Sequence, residues 1–386
     1  MEKWRLIFVD DESGILSTMR RIMWRKREQW QVDFASSGLD GLELLRQFSP
    51  HVVISDMRMP GMEGAEFLAQ VAQSHPATVR IIMTGNSSVE TFIKVVGPVH
   101  MVLYKPVEPD HFIELIDRLA YLFSMPISLQ ARHFLGSVTS LPLVPTLHHQ
   151  LMKALNDPGC TFDKISEIIA MDPALTAKIL HLINSALFGL TRKVVRLEDA
   201  IRLLGMDIIR SLALGTTFFS RFDGMVAGKT VESMAYQSLQ VARCAKWIAG
   251  RLTNDPQVRD EAFLAGLLHR LGYLVVLAQQ AEERTDESDA IPLEKDEQIQ
   301  GWMGAFLLGL WGLSSSIMGV MAFYLRPQSA PRPDCPVLLA VHLAHAHCRR
   351  TLPEEQVLSK IGGSETWVGW QKELQKFLLY GEKNHG

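Results

Sequence analysis

Short apolar runs recur through the first 125 residues, and each stops at a polar or charged group. Leu6-Ile7-Phe8-Val9 runs into Asp10-Asp11-Glu12, and Val52-Val53-Ile54 runs into Ser55-Asp56. Residues 79–83 run into Thr84-Gly85, and 100–104 into Lys105-Pro106. Residues 31–35 form a weaker run. Runs of this length, closed by Gly or Pro, predict buried strands. Between them, helical periodicity covers roughly 15–27, 39–48, 63–73, 88–96 and 110–123. Five alternations of strand and helix predict an α/β fold, a doubly wound, five-stranded parallel sheet.

After Pro126 the pattern changes. Apolar residues recur at helical spacing and no strand pattern of consequence remains. Helices are predicted up to Leu155, from Thr161 or Asp163 to Ala170, and from Asp172-Pro173 onward, with Asp172 as cap and Pro173 in the first turn. Others cover 198–204, closed by Gly205, then 208–219, 231–252, 259–277 and 337–350. Residues 282–298 are acid-rich and predict an exposed loop, and 367–379 a short terminal helix. Residues 302–324 carry no charge and are long enough to span a bilayer. Trp311-Gly312-Leu313-Ser314 breaks that stretch, which favours two buried helices over a membrane span.

The strand ends carry the candidate chemistry. In open parallel sheets, ligands gather at the carboxyl edge of the strands. Asp10, Asp11, Asp56, Thr84 and Lys105 would all stand there. Acids gathered at one edge repel one another unless a cation joins them, and hard oxygen donors suit Mg²⁺. Lys105 and the Thr84 hydroxyl could then hold the oxygens of a phosphoryl group. Any one of these residues could simply end its strand; the agreement of five makes that reading the weaker one.

With these motifs in this order, residues 3–123 resemble the receiver domain of bacterial two-component response regulators. The resemblance implies that Asp56 is the phosphoacceptor, and that Asp10 and Asp11 bind Mg²⁺ with Asp56 and the Arg58 backbone carbonyl. It implies that Thr84 and Tyr104 are the switch pair and that Lys105 contacts the phosphate ahead of a cis Pro106. The partner it implies is a sensor histidine kinase, the phosphodonor.

Leu141-Pro142, Asp172-Pro173-Ala174-Leu175-Thr176, Asn184-Ser185-Ala186-Leu187-Phe188-Gly189, Leu203-Leu204-Gly205 and Ala265-Gly266-Leu267-Leu268-His269 follow. Together they resemble HDOD, the HD-related output domain, over about 135–350. The parent HD fold is a metal-dependent phosphohydrolase built on histidines and a His-Asp pair. His269 stands at the histidine of that pair, but Arg270 follows it. Gln237, Gln300, Tyr324, Leu325 and His345 stand where other ligands would be. No carboxylate ligand remains, and an arginine cannot ligate a metal. The resemblance therefore implies an output domain with no metal cofactor and no catalytic residue. The expected layout is a receiver at 1–124, a linker at 125–135, the all-helical HDOD domain at 136–350 and an extension at 351–386.

Composition narrows the field. A net charge of −3 argues against a dedicated nucleic-acid binder. Arg20, Arg21, Arg25, Lys26 and Arg27 read as the solvated face of the first helix. Cys160, Cys244, Cys335 and Cys348 are far apart, which fits a reducing cytoplasm and no zinc module. No signal peptide is expected, because Asp10-Asp11-Glu12 follows the first apolar run. His342, His345 and His347 cluster and His148-His149 pair; polar spots on half-buried helices explain them better than zinc. The favoured function is a phosphorylation-controlled regulator whose HDOD domain works by protein–protein contact with an unidentified downstream protein, a homodimer being left open. The alternatives are an HD-type phosphohydrolase of cyclic nucleotides and a DNA-binding regulator, the latter resting on Arg192, Lys193 and Arg196.

Overall fold

The computed structural model describes residues 3–85, 99–138, 141–157, 159–184, 193–206, 208–209, 226–283 and 296–383. The expected helix at 88–96 and most of that at 208–219 lie outside them, as does most of the expected loop at 282–298. Packing divides the chain into two compact units. The first comprises residues 1–139 with 181–193 and 306–313, and the second comprises 140–180, 194–305 and 314–386.

The first unit is built on a parallel sheet of β1 (Trp4–Val9), β2 (Trp30–Ala35), β3 (Val52–Asp56), β4 (Val79–Thr84) and β5 (Met101–Tyr104), in the order β2-β1-β3-β4-β5. Helices α1 (Ser13–Trp24), α2 (Gly38–Gln47), α3 (Gly64–Ser74) and α4 (Pro109–Phe123) connect or follow these strands. The central strands are apolar on both faces: Leu6 to Val9, Val52 to Ile54, and Ile81 to Met83 are fully buried. β2 is an edge strand with Gln31 exposed, which explains its weak sequence signal. Arg25 and Lys26, expected on a solvated face, pair with Asp110 and Asp117 of α4 at 3.2 and 2.6 Å.

The segment expected as a linker folds onto this unit. Residues Leu129–Ser137 form α5, capped by the Ser128 hydroxyl. Its anchor is Arg80, 3 % exposed at the start of β4. The guanidinium donates to the carbonyls of Pro76, Thr78 and Gly136 at 3.2, 3.0 and 2.6 Å. His100 Nδ1 accepts the Arg80 backbone N–H at 3.0 Å, so Nε2 carries the proton and donates to the same Gly136 carbonyl at 3.0 Å. Burial, reinforced by the Arg80 charge, holds His100 well below its ordinary pKa and therefore neutral. Gly136 permits the approach, since a Cβ there would stand 1.9 Å from the Pro76 oxygen.

The second unit is helical throughout its described residues. Its helices are α6 (Pro145–Leu155), α7 (Phe162–Ala170), α8 (Pro173–Asn184), α9 (Leu197–Leu204), α10 (Gly228–Leu252), α11 (Pro256–Leu268) and α12 (Leu271–Glu283). Then come α13 (Glu297–Leu310), α14 (Ser315–Phe323), α15 (Pro336–Arg349), α16 (Glu355–Lys360) and α17 (Ser364–Lys383). The far ends of α8 and α13 are grouped with the first unit. Asp172 caps α8 as expected, accepting the Ala174 and Leu175 N–H groups at 2.9 and 3.0 Å, and it also takes that of Val144 at 2.8 Å. Burial pushes its carboxyl up to about 6 against these three donors.

The break at 311–314 is present, with Gly312 at φ 75° between α13 and α14. The single helix expected at 259–277 is instead two, α11 and α12, parted at His269-Arg270. Among the described residues one stretch, Pro256–Ala281, is long and apolar enough to cross a membrane, and 78 % of its most apolar window is buried.

Removing the α5 anchor should loosen that helix. Arg80→Met leaves buried carbonyls without a donor and should cost about 3 kcal/mol. Urea unfolding measures the loss, and faster amide exchange over residues 129–137 locates it.

Asp172 gives a pH signature. Its folded-state pKa lies above the unfolded value near 3.8, so its contribution to stability is complete below that value and is lost as pH rises through about 6. The stability of wild type relative to Asp172→Asn should therefore fall between pH 4 and pH 6.

Candidate functional site

The sheet order gathers the strand-end residues. Asp10 follows β1, Asp56 ends β3, Thr84 ends β4, and Tyr104-Lys105 closes β5. Lys105 Nζ lies 2.5 Å from Asp56 Oδ1 and 2.9 Å from Asp10 Oδ2, with Glu12 Oε1 at 3.6 Å. The second oxygen of Asp56 accepts the Arg58 N–H at 2.8 Å, and that of Asp10 accepts the Glu12 N–H at 2.9 Å. Burial raises the pKa of Asp10; the Lys105 hydrogen bond opposes the rise and the Asp56 charge adds to it. Burial alone would lower the Lys105 ammonium, but its hydrogen bonds to Asp56 and Asp10 prevail and its pKa is raised.

The remaining expected residues stand close by. Thr84 is buried, and its carbonyl accepts the Lys105 N–H at 2.9 Å. The Tyr104 hydroxyl is buried with no hydrogen-bond partner among the described residues. Asp11 is exposed. The Lys105–Pro106 peptide is cis, as expected. The donor set of Asp10, Asp11, Asp56 and the Arg58 carbonyl is all oxygen, and fits a hard cation that completes its shell with water. Among the described residues no three His, Cys, Asp or Glu side chains form a metal cage. Here the Lys105 ammonium supplies the countercharge.

A second constellation lies in the second unit. The rings of His269, Tyr324 and His345 meet edge to face, with centroids 5.2 Å (His269–Tyr324), 5.2 Å (His269–His345) and 5.0 Å (Tyr324–His345) apart. His269 and His345 also wall a cleft of about 340 Å³, with Gln237, Gln240, Arg270 and Arg349 among others. Arg270 Nη1 donates to Gln237 Oε1 at 2.8 Å. Burial drives His269 well below its ordinary pKa and His345 to about 3, the neighbouring charges adding to both. Gln300 and Leu325, expected in the same set, are not among the cleft walls. His342 is committed elsewhere: Nδ1 meets the Tyr324 carbonyl at 2.8 Å and Nε2 accepts the Glu354 N–H at 3.0 Å. The His148 and His149 side chains lie outside the described residues.

Comparison with known families assigns both units. The model of the response regulator receiver domain matches residues 6–117, and that of the HDOD domain matches 141–327. The chain is a receiver domain followed by an HDOD domain. An uncharacterized protein of Treponema pallidum is 22 % identical over 250 residues, covering 61 % of this chain and 48 % of that protein. The hydrogenase transcriptional regulatory protein HoxA of Cupriavidus necator is 33 % identical over 113 residues, covering 29 % of this chain and 23 % of its own length. The chain thus spans less than half the length of these curated relatives. Among solved structures, the MmoQ response regulator of Methylococcus capsulatus is similar over 60 % of this chain and 98 % of its own, at 23 % identity and a TM-score of 0.46.

Sequence reasoning missed three contributors to the two sites. Glu12 adds a third carboxylate near Lys105 in the receiver. Gln240 and Arg349 join the HDOD cleft only because α10 packs against α15, and no local pattern marks them. In the receiver, Gly64 is also a positioning residue. Its N–H donates to the Met57 carbonyl at 2.9 Å, and a Cβ would stand 1.9 Å from the Asp56 carbonyl oxygen. The start of α3 is thereby pressed against the end of β3. Gly64→Ala should force these apart and cost about 2 kcal/mol in urea unfolding.

Proposed function

We propose that Asp56 accepts a phosphoryl group from a sensor histidine kinase, and that the HDOD domain relays this state by binding a downstream protein rather than by catalysis. The carrying observation is the Lys105 ammonium bridging buried Asp10 and Asp56, a charge balance into which a phosphoryl group can enter. An Asp56 carboxylate oxygen attacks phosphorus; the P–N bond of the donor phosphohistidine breaks, and the imidazole leaves with its electron pair and takes up a proton. Asp10, Asp11, Asp56 and the Arg58 carbonyl would hold Mg²⁺, which would supply neutralising charge to the transferring group. Lys105 then contacts the new phosphate oxygens. The added charge draws in the Thr84 hydroxyl, and Tyr104, whose own hydroxyl has no partner among the described residues, follows.

The remnant centre supports a non-catalytic output. A catalytic zinc keeps three protein ligands and an open position. Here two neutral imidazoles share the centre with Tyr324, and Arg270 and Arg349 add fixed positive charge. This reading places the protein in the cytoplasm with its kinase.

Incubation with a small phosphodonor and Mg²⁺ should add one phosphate, detected by mass spectrometry. Asp56→Asn and EDTA should each abolish it, and an unchanged yield in either refutes the reading.

The output proposal has its own measurement. Elemental analysis should find no stoichiometric metal in the HDOD domain, and cyclic dinucleotides should not turn over with Mn²⁺, Fe²⁺ or Mg²⁺. Bound metal with turnover lost in His269→Ala would establish the phosphohydrolase alternative instead.

A further inference from the structure

The HDOD cleft is not merely a closed-off metal site. Its volume of about 340 Å³ is within the range of small-molecule sites. Among the described residues no carboxylate lines it, whereas Arg270 and Arg349 both do. Arg349 is ion-paired with Glu297. Arg270 forms no ion pair among the described residues; Gln237 Oε1 and the Tyr273 ring, 4.8 Å from the guanidinium carbon, hold it in place, and the charge of Glu297 acts on it from further off.

The cleft also contains unmet acceptors. His269 is 1 % exposed, and its Nδ1 lies 2.7 Å from the Gly266 carbonyl, which fixes the proton on that nitrogen. Its Nε2 is therefore a bare lone pair, buried and without a partner among the described residues. Gln240 Oε1 is a second such acceptor, its amide nitrogen being engaged by the Tyr236 hydroxyl at 2.8 Å. His345 Nδ1 is likewise buried and unpartnered. Such groups are costly to leave unmet.

Few ligands satisfy both halves of this arrangement. A metal ion would meet the imidazole but face two arginines. A bare anion would meet the arginines but leave the acceptors empty. An apolar side chain would meet neither. The match is an anion that brings its own O–H or N–H groups.

We propose that this cleft is a metal-independent binding site for a small phosphate monoester bearing hydroxyl or amino groups, with Arg270 and Arg349 on the phosphate and His269 and Gln240 on the donors. Sugar phosphates and nucleoside monophosphates share this chemistry. The site needs no phosphoryl group on Asp56, so the HDOD domain would read a metabolite as a second input, and the inference stands apart from the signalling reading above.

Calorimetric titration of the full chain in EDTA tests it, with ribose 5-phosphate, adenosine and guanosine 5′-monophosphates, inorganic phosphate, ribose and adenosine as probes. At least one monoester should saturate and bind more tightly than inorganic phosphate or the uncharged probes. Arg270→Gln should weaken it at least about tenfold, and the ¹⁵N resonance of His269 Nε2 should move on binding. Tighter binding of a nucleotide than of ribose 5-phosphate assigns the base to the cleft, and the reverse assigns the sugar. Should Arg270→Gln fail the circular-dichroism check for folding, Arg349→Gln and Gln240→Leu carry the same expectation. No saturation by any monoester at millimolar concentration overturns the proposal. So does affinity unchanged in the folded variants, or binding that appears only with added metal.

Discussion

One ammonium holds the receiver site together. Asp10 and Asp56 sit at the ends of adjacent strands, both buried, where two carboxylates would repel strongly without a countercharge. Lys105 supplies it from the end of β5, reaching past β4 to both acids. That reach requires the order β1-β3-β4-β5 and the parallel register that brings all four carboxyl ends level. Being buried, the arrangement is poorly screened by salt. Any entering cation or phosphate must therefore renegotiate its hydrogen bonds with a lysine already engaged.

The HDOD cleft is its electrostatic opposite. The receiver has a surplus of acids served by a single base. The cleft has two arginines, neutral imidazoles and amides, and no acid among its described walls. Removing carboxylates from a hydrolytic fold while retaining a histidine leaves lone pairs facing a positive wall. On the proposal above, this arrangement would disfavour a metal ion and favour an anion. The described walls of the two sites thus differ in their charged groups, acids around one lysine in the receiver and arginines in the cleft.

How much of this was legible in the sequence depends on where the information resides. Strands β1, β3 and β4 are buried on both faces over Leu6–Val9, Val52–Ile54 and Ile81–Met83, so those apolar runs identify them and the polar residue after each run gives the site. The break at Gly312 was legible because a positive φ selects glycine. The break at His269-Arg270 was not, because no Pro stands at it, Gly272 falls inside the next helix, and leucines flank it on both sides. Helix α5 was hidden for another reason. Its docking depends on a backbone carbonyl, that of Gly136, meeting Arg80 and His100 from distant segments, and a carbonyl has no letter in the sequence. Gln237, His269, Arg270 and His345 were readable by motif and wall the cleft, whereas Gln300, Tyr324 and Leu325 occupy motif positions and are not among its described walls, the Tyr324 ring meeting the two imidazoles instead. Motif position constrains the backbone, and side-chain direction then depends on local packing.

The polar character that weakened the signal of β2 has a consequence for assembly. An exposed sheet edge is a template on which another strand can pair. Along this edge Gln31 is exposed, and Asp33 is held in an ion pair with Arg5 at 3.6 Å. Charged and polar side chains of this kind make strand-on-strand addition unfavourable and protect the folded chain from edge-to-edge aggregation. Strand addition at the β2 edge is therefore disfavoured by the side chains themselves.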